Sequence, residues 1–278
     1  MSARVALSIA GSDPGGGAGV QADLKTFSAL GVFGTAVLTA LTAQNTRGVT
    51  GVHPVPAAFV GHQLRTLLDD VTVHAVKTGM LGSAAVVHEV VAVLTDRPAG
   101  PLVVDPVMVA TSGDQLIDDD AVDAVRTALL PVTDLLTPNV PEAARLLRST
   151  PATGVDGLRE QALALLELGP GAVLVKGGHL AAALGESVDV LAVAGAGGPT
   201  VHLSRRPLVP TANTHGTGCT LSAALAAGAA RAGAAPDWPA LVEDARDLLQ
   251  AALLGADTLG VGSGNGPVHH LARTWGEA

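Results

Sequence analysis

Short apolar runs alternate with segments whose apolar residues recur at helical spacing. Val5–Ala10 reads as a strand and Val20–Leu30 as a helix. Thr35–Ala43 reads as one strand, Val49–Val55 as a second extended piece, and Ala57–Leu68 as a helix. The alternation continues with a strand at Val73–Val76, a helix at Ala84–Leu94, a strand at Leu102–Val104 and a helix at Asp119–Leu130. Leu135–Thr137 then predicts a strand, Val140–Leu147 and Leu158–Leu168 helices, and Ala172–Val175 a strand. Val188–Ala194 and Val201–Leu203 predict a hairpin, and helices over Thr217–Arg231 and Pro239–Ala256 close the chain. Strands alternating with helices predict βαβ units, hence an α/β fold with a parallel sheet covered on both faces. No repeat, low-complexity linker or composition break divides the chain, so 1–278 is expected to be a single domain.

Composition narrows this picture. The 278 residues are 48% hydrophobic and 15% charged, which excludes a disordered chain. Aromatic residues make up 2%, so the core must be built from Ala, Val and Leu. A single cysteine excludes an intramolecular disulfide and disfavours a cysteine-based zinc site. The net charge of −9 and the lack of a basic cluster beyond Arg205-Arg206 argue against nucleic-acid binding. The longest apolar stretch, Leu221–Ala230, is too short to cross a membrane, and a cytoplasmic protein is expected.

Polar residues and glycines gather where the strands end. Gly11-Ser12-Asp13, Gln44-Asn45, Lys77-Thr78-Gly79, Asp105, Pro138-Asn139 and Lys176-Gly177-Gly178 each follow an apolar run. One strand ending in turn residues is ordinary, but recurrent lysines and an aspartate on one edge point to a ligand site. Gly17, Gly19 and Ala22 fit a dinucleotide fingerprint, yet no acidic residue lies between Asp23 and Asp69, so a nicotinamide site is disfavoured. Asp23 by itself reads equally well as an acid complementing a helix dipole. Gly216 and Gly218 leave bare backbone before an apolar helix, where amides and dipole favour an anion such as a phosphoryl group. That field is expected to lower the Cys219 pKa. Lys176 offers a point charge for phosphate. Asn139 and Glu142 have capping-box spacing, which wins locally, but they also offer oxygen ligands to Mg²⁺ and nucleotide phosphates. Asp105 either orients metal-bound water or caps a turn.

Seven segments in order resemble one family. They are Ala10–Thr26, Thr39–Thr46, Lys77–Leu81, Asp105–Met108, Thr137–Ala143, Val175–His179 and His215–Thr220. Together they resemble the bacterial hydroxymethylpyrimidine/phosphomethylpyrimidine kinases of the ribokinase-like superfamily. The resemblance implies a three-layer α/β/α sandwich with a mostly parallel central sheet, usually homodimeric. It implies ATP- and Mg²⁺-dependent phosphorylation of 4-amino-5-hydroxymethyl-2-methylpyrimidine, then of its monophosphate, for thiamine synthesis. By matched position, Gly11, Ala18, Asp23, Gln44, Met80, Val107 and Cys219 would form the pyrimidine pocket. Asn139, Glu142, Lys176, Gly216, Thr217 and Gly218 would face ATP, with Asp105 and Glu142 toward the metal. Cys219 and Lys176 would be the catalytic pair, Cys219 standing where sugar kinases of this fold usually carry an aspartate base. The loop Gly15–Gly19 is expected to offer room and donors to the phosphate of the second acceptor. The alternatives are a pyridoxal/pyridoxine kinase of the same fold and a non-catalytic pyrimidine-binding protein.

Overall fold

The computed structural model describes residues 3–108, 117–233 and 235–275. Strand β1 (Val5–Ala10) runs through a glycine-rich loop into helix α1 (Gly19–Ala29), and β2 (Phe33–Leu38) returns parallel to it. Strands β3 (Ala40–Asn45) and β4 (Gly48–Pro54) form a separate antiparallel pair. There follow α2 (Ala57–Leu68), β5 (Ala75–Thr78), α3 (Ala84–Asp96), β6 (Leu102–Val104) and α4 (Asp119–Ala124). The second half contains β7 (Leu135–Leu136), α5 (Val140–Leu147), α6 (Val155–Leu166), β8 (Ala172–Lys176) and the short α7 (Ala181–Leu184). It ends with β9 (Glu186–Val193), β10 (Thr200–Pro207), α8 (Thr217–Ala232) and α9 (Trp238–Leu254).

The main sheet has the order β10-β9-β8-β7-β6-β5-β1-β2. It is parallel from β2 to β8, and β9 and β10 extend it antiparallel. Successive strand residues face opposite layers. Leu7, Ile9, Val76, Val104, Leu136 and Val173 pack against α2 to α6. Ala6, Ala75, Val103, Leu135, Ala172 and Leu174 pack against α1, α8 and α9. The architecture is thus a three-layer α/β/α sandwich. Helix α8 is almost wholly buried, and its alanines let it lie close to a sheet face that itself carries Ala6, Ala75 and Ala172. No helix among the described residues is long and apolar enough to cross a membrane.

Three expectations need correction. Thr35–Ala43 is not one strand: the chain leaves the main sheet at Thr39, whose amide donates to Ala10 O and whose hydroxyl donates to Met80 O at 2.6 Å. Alternating polarity cannot reveal such a pivot, because both halves keep period 2. The α-helix begun at Asp119 ends at Ala124 and passes through a π turn and a 3₁₀ turn that contains Pro131. The strand expected at Val73–Val76 runs instead over Ala75–Thr78, so Lys77 and Thr78 lie within it, and the helical turns over Gly178–Leu184 have no counterpart among the expected elements.

The order of strands reverses beside β1, whose chain continues to β2 on one side while β5 to β8 are laid down on the other. Such a switch point opens a crevice at the carboxyl ends of the strands.

Candidate active site

A cleft of about 220 Å³ occupies that crevice. It is lined by the ends of β1, β5, β6 and β8, by Gln44 of β3, and by the mouth of α8. Of the residues singled out in the sequence, Gly11, Ala18, Gln44, Met80, Val107, Asp105, Asn139, Glu142, Lys176, Gly216, Thr217, Gly218 and Cys219 all line it. Asp23 does not.

On one side lie the residues suited to a ring. A Cβ at Gly11 would come within 2.6 Å of the Met80 methyl, so glycine lets the thioether lie across the floor. A register shift between Ala43 and Gln44 re-aims the glutamine, a usual effect of a bulge. Its Oε1 accepts from the Thr42 hydroxyl at 3.3 Å, and its amide nitrogen lies 3.5 Å from His215 Nε2.

Asp23 sits behind this wall, fully buried. Its carboxylate accepts from Ser8 Oγ at 2.5 Å and from Lys77 Nζ at 2.9 Å on both oxygens. The sequence marks Lys77 as one of the lysines at the strand ends but not as the partner of Asp23. Burial is the largest influence and would lower the Lys77 pKa, but the charges of Asp23, Cys219 and Asp105 and the Asp23 hydrogen bonds together outweigh it and keep the ammonium protonated, while burial pushes the Asp23 carboxyl itself up.

The other side suits phosphate. Gly216 caps α8 with φ of 82°, and a Cβ there would lie 1.7 Å from Gly17 O, so only glycine fits. Lys176 Nζ donates to Asp105 Oδ1 at 2.7 Å, and Ser222 Oγ lies 3.3 Å from Asp105 Oδ2. A Cβ on Gly218 would stand 3.1 Å from Lys176 Nζ, so the lysine is drawn tightly over the helix mouth. Burial opposes the Lys176 charge, but Asp105 and Glu142 more than compensate and raise its pKa.

Asn139 and Glu142 form a complete capping box at α5 while also lining the cleft. Glu142 N donates to Asn139 Oδ1 at 2.9 Å, and Asn139 N donates to Glu142 Oε2 at 2.8 Å. Burial, helped by the charge of Asp105 and opposed by Lys176, pushes the Glu142 carboxyl up to about 7. Among the described residues no group of three or more His, Cys, Asp or Glu side chains is placed to hold a metal ion. Asp105 and Glu142 instead offer two carboxylates, the donor set of a Mg²⁺ shared with substrate phosphates and water.

Two expectations about this cleft are overturned. The thiol of Cys219 is not acidified. Burial pushes it up to about 11; Lys77 pulls the other way, but the carboxylates of Asp23 and Asp105 reinforce the rise. The helix dipole loses because the sulfur is desolvated and has two buried carboxylates in reach. The Gly15–Gly19 loop is not an open anion site either. The amides of Gly15, Gly17 and Ala18 donate to the Asp13 carboxylate at 2.8, 3.0 and 2.8 Å, and Gly16 N donates to Asp13 O. The Gly19 amide faces the Cys219 sulfur. Asp13 and His215 were not singled out. The one available signal was Asp13-Pro14-Gly15, a turn sequence whose aspartate commonly bonds to the backbone two residues on.

The phosphomethylpyrimidine kinase family matches residues 13–269. This chain belongs to that family. Among phosphomethylpyrimidine kinase relatives, the hydroxymethylpyrimidine/phosphomethylpyrimidine kinase of Escherichia coli is 48% identical over 273 residues, covering 97% of this chain and 98% of that protein. The thiamine biosynthesis multifunctional protein ThiED of Corynebacterium efficiens is 52% identical over 268 residues, 96% of this chain and 35% of that protein. The chain therefore spans about a third of that relative and nearly all of the other. A phosphomethylpyrimidine kinase structure from Clostridium difficile superposes with a TM-score of 0.75 at 36% identity, covering 90% of this chain and 99% of that one. The pyridoxal kinase of Staphylococcus aureus in complex with AMP-PCP and pyridoxal superposes with a TM-score of 0.86 at 30% identity, covering 98% and 95%. The phosphomethylpyrimidine kinase fold seen here is accordingly the ribokinase-like one.

Proposed function

We propose that the chain transfers the γ-phosphoryl group of ATP to the hydroxymethyl oxygen of 4-amino-5-hydroxymethyl-2-methylpyrimidine, and then a second one to the resulting phosphate. In each step a P–O bond forms to the acceptor, the bond to the β-phosphate oxygen breaks, and ADP leaves; in the first, the acceptor hydroxyl also gives up its proton, to the transferred phosphoryl group or to solvent, whereas the phosphate acceptor of the second is already ionised. The observation that supports this reading is the convergence, in one cleft, of Gln44 and Met80 with Lys176 and the bare amino end of α8. Gln44 carries the donor and acceptor that an aminopyrimidine edge needs, and Met80 and Val107 give apolar faces. Lys176 and the α8 amides are aimed where charge spreads over the transferring oxygens, and positioning plus such stabilisation is most of what phosphoryl transfer asks of a protein. Asp105 and Glu142 would hold Mg²⁺, which when bound neutralises phosphate charge. The thiol of Cys219 lines the acceptor side and acts by positioning.

The same reading includes one kinase domain over 1–278, a homodimer and a cytoplasmic location, all supported by the family resemblance. Pyridoxal is the rival substrate, because the pyridoxal kinase of Staphylococcus aureus shares the fold. Coupled ADP release with hydroxymethylpyrimidine, its monophosphate and pyridoxal in parallel tests the proposal. Turnover on both pyrimidines is expected; turnover on pyridoxal alone overturns it. Pyrimidine binding without ADP release would mean a non-catalytic sensor.

A further inference from the structure

The Gly15–Ala18 turn is folded around a carboxylate of its own chain. Asp13 is 1% exposed and takes three backbone amides, and its Oδ2 also lies 2.8 Å from His215 Nε2. Burial favours the neutral acid, but the hydrogen bonds from His215, Ala18 and Gly15 win and hold Asp13 below the usual carboxylate range. An ionised Asp13 surrounded by donors requires the proton of that contact to sit on His215 Nε2. Asp13 therefore fills the anion hollow of the turn and bridges from it to the phosphate side.

The two segments are packed without slack. A Cβ on Gly17 would lie 2.4 Å from His215 Cδ2, and one on Gly216 would lie 1.7 Å from Gly17 O. His215 is fixed from behind as well: its amide donates to Gly266 O, and its carbonyl accepts from Val268 N, each at 3.1 Å. Its immediate successors are the Gly216–Cys219 turn. On the other side of the bridge, the tethered loop ends at Gly19, whose amide meets the Cys219 sulfur.

We infer that Asp13 and His215 are a positioning pair that locks the glycine-rich loop to the phosphate-binding mouth of α8. The inference rests on the kinase reading above. Neither residue reacts; the pair sets where the α8 amides and Cys219 stand relative to the acceptor. Ring recognition rests on Gln44, Met80 and Val107, on three other segments; because Gln44 lies 3.5 Å from His215 Nε2, acceptor KM is read in Asp13→Asn, which leaves His215 beside it. Loss of the pair should therefore appear in kcat and largely spare the acceptor KM. A misplacement of about 1 Å at such a site costs on the order of 10²-fold.

The test is Asp13→Asn, His215→Gln and their double variant, with kcat and acceptor KM, melting temperature, and wild type in parallel. Asparagine keeps the shape but sets its NH₂ group against amides that now donate. A fall in kcat of roughly 10- to 100-fold is expected in Asp13→Asn, with acceptor KM within about threefold of wild type. The double variant should be little worse than the worse single, since both break one bridge. Unchanged kcat in a variant with a lowered melting temperature would reduce the pair to a structural tie and overturn the inference. So would multiplicative effects, or a rise in acceptor KM at constant kcat, which would mean direct substrate contact. If Asp13→Asn does not fold, Asp13→Ser, which keeps an acceptor for the loop amides and leaves His215 beside Gln44, carries the same kcat-against-KM criterion. Wild type that releases no ADP on either pyrimidine overturns the kinase reading instead.

Discussion

Replacing Cys219 by alanine separates a base from a positioning group. It is the single cysteine of the chain, so thiol chemistry reports on this site alone. The Cys219 thiol is pushed up from 9.0 to about 11. At pH 7 that leaves roughly one thiolate in 10⁴. If proton abstraction ran through this trace, log kcat would climb by one per pH unit from 7 toward 10. If the neutral thiol only positions, kcat is flat across that range. We expect a flat profile. Cys219→Ala should lower turnover by less than the about 10²–10⁴-fold of a lost general base, with little change in stability. Alkylation by iodoacetamide, followed by mass spectrometry against pH, gives the thiol pKa directly. Between a thiol at 9.0 and one at about 11 the thiolate fraction at neutral pH differs by about 10²-fold, so labelling should be slow by that factor. An inflection near pH 8 in labelling, or a unit slope in kcat that vanishes in Cys219→Ala, would refute the reasoning.

Lys77→Met should destabilise by about 3–5 kcal/mol in urea denaturation, because it strands the buried Asp23 carboxylate, whereas Lys77→Met with Asp23→Leu should recover part of the loss. Gly216→Ala should cost more stability than Gly233→Ala. Both glycines have positive φ, 82° and 88°, but only Gly216 has a carbonyl 1.7 Å from the added Cβ; equal melting temperatures would contradict this. In metal-free buffer, Glu142 should make stability fall as pH rises. Its folded pKa of about 7 exceeds the ordinary 4.5, so its contribution is complete below 4.5 and is lost through 7, on the order of 3 kcal/mol. Glu142→Gln, which keeps the capping acceptor, should flatten that dependence, and a slope unchanged in the variant would assign it elsewhere.

The pattern of apolar residues read the layers well, because sheet and helix periods differ and each strand run is short. Ala57–Leu68 and Val140–Leu147 coincide with the helices found. Within the cleft, the legible residues were those at strand ends and at the helix mouth, where backbone geometry alone places a side chain. Lys176, Gly216 and Gln44 belong to that class. What stayed hidden depends on pairing across the chain. Asp23 carries a side chain suited to a ligand, but Lys77, 54 residues away, claims it. Asp13 and His215, 202 residues apart, cannot be paired from periodicity. The direction of the Cys219 shift was misread for the same reason: the helix dipole is visible locally, whereas desolvation and the two carboxylates arrive through tertiary packing.

The net charge of −9 raises the question of how such a chain attracts a polyphosphate. Both lysines of the cleft are already neutralised, Lys77 by Asp23 and Lys176 by Asp105. The two pairs differ in what a ligand can do with them. Lys77 and Asp23 are 0% exposed, so exchanging partners there would leave a charge without solvent or counterion. Lys176 retains 14% side-chain exposure and hangs over Gly218 at the cleft wall. A phosphate oxygen arriving at the α8 mouth would add a negative charge beside Asp105, to be offset by the Lys176 ammonium, the α8 amides and the solvent that reaches this site. In the proposed reaction Asp105 would be the placeholder that keeps Lys176 ionised and aimed before ATP arrives. Attraction at this site is local and pre-oriented, and the surface charge of the whole chain, screened within about 10 Å at 0.1 M salt, has little bearing on it.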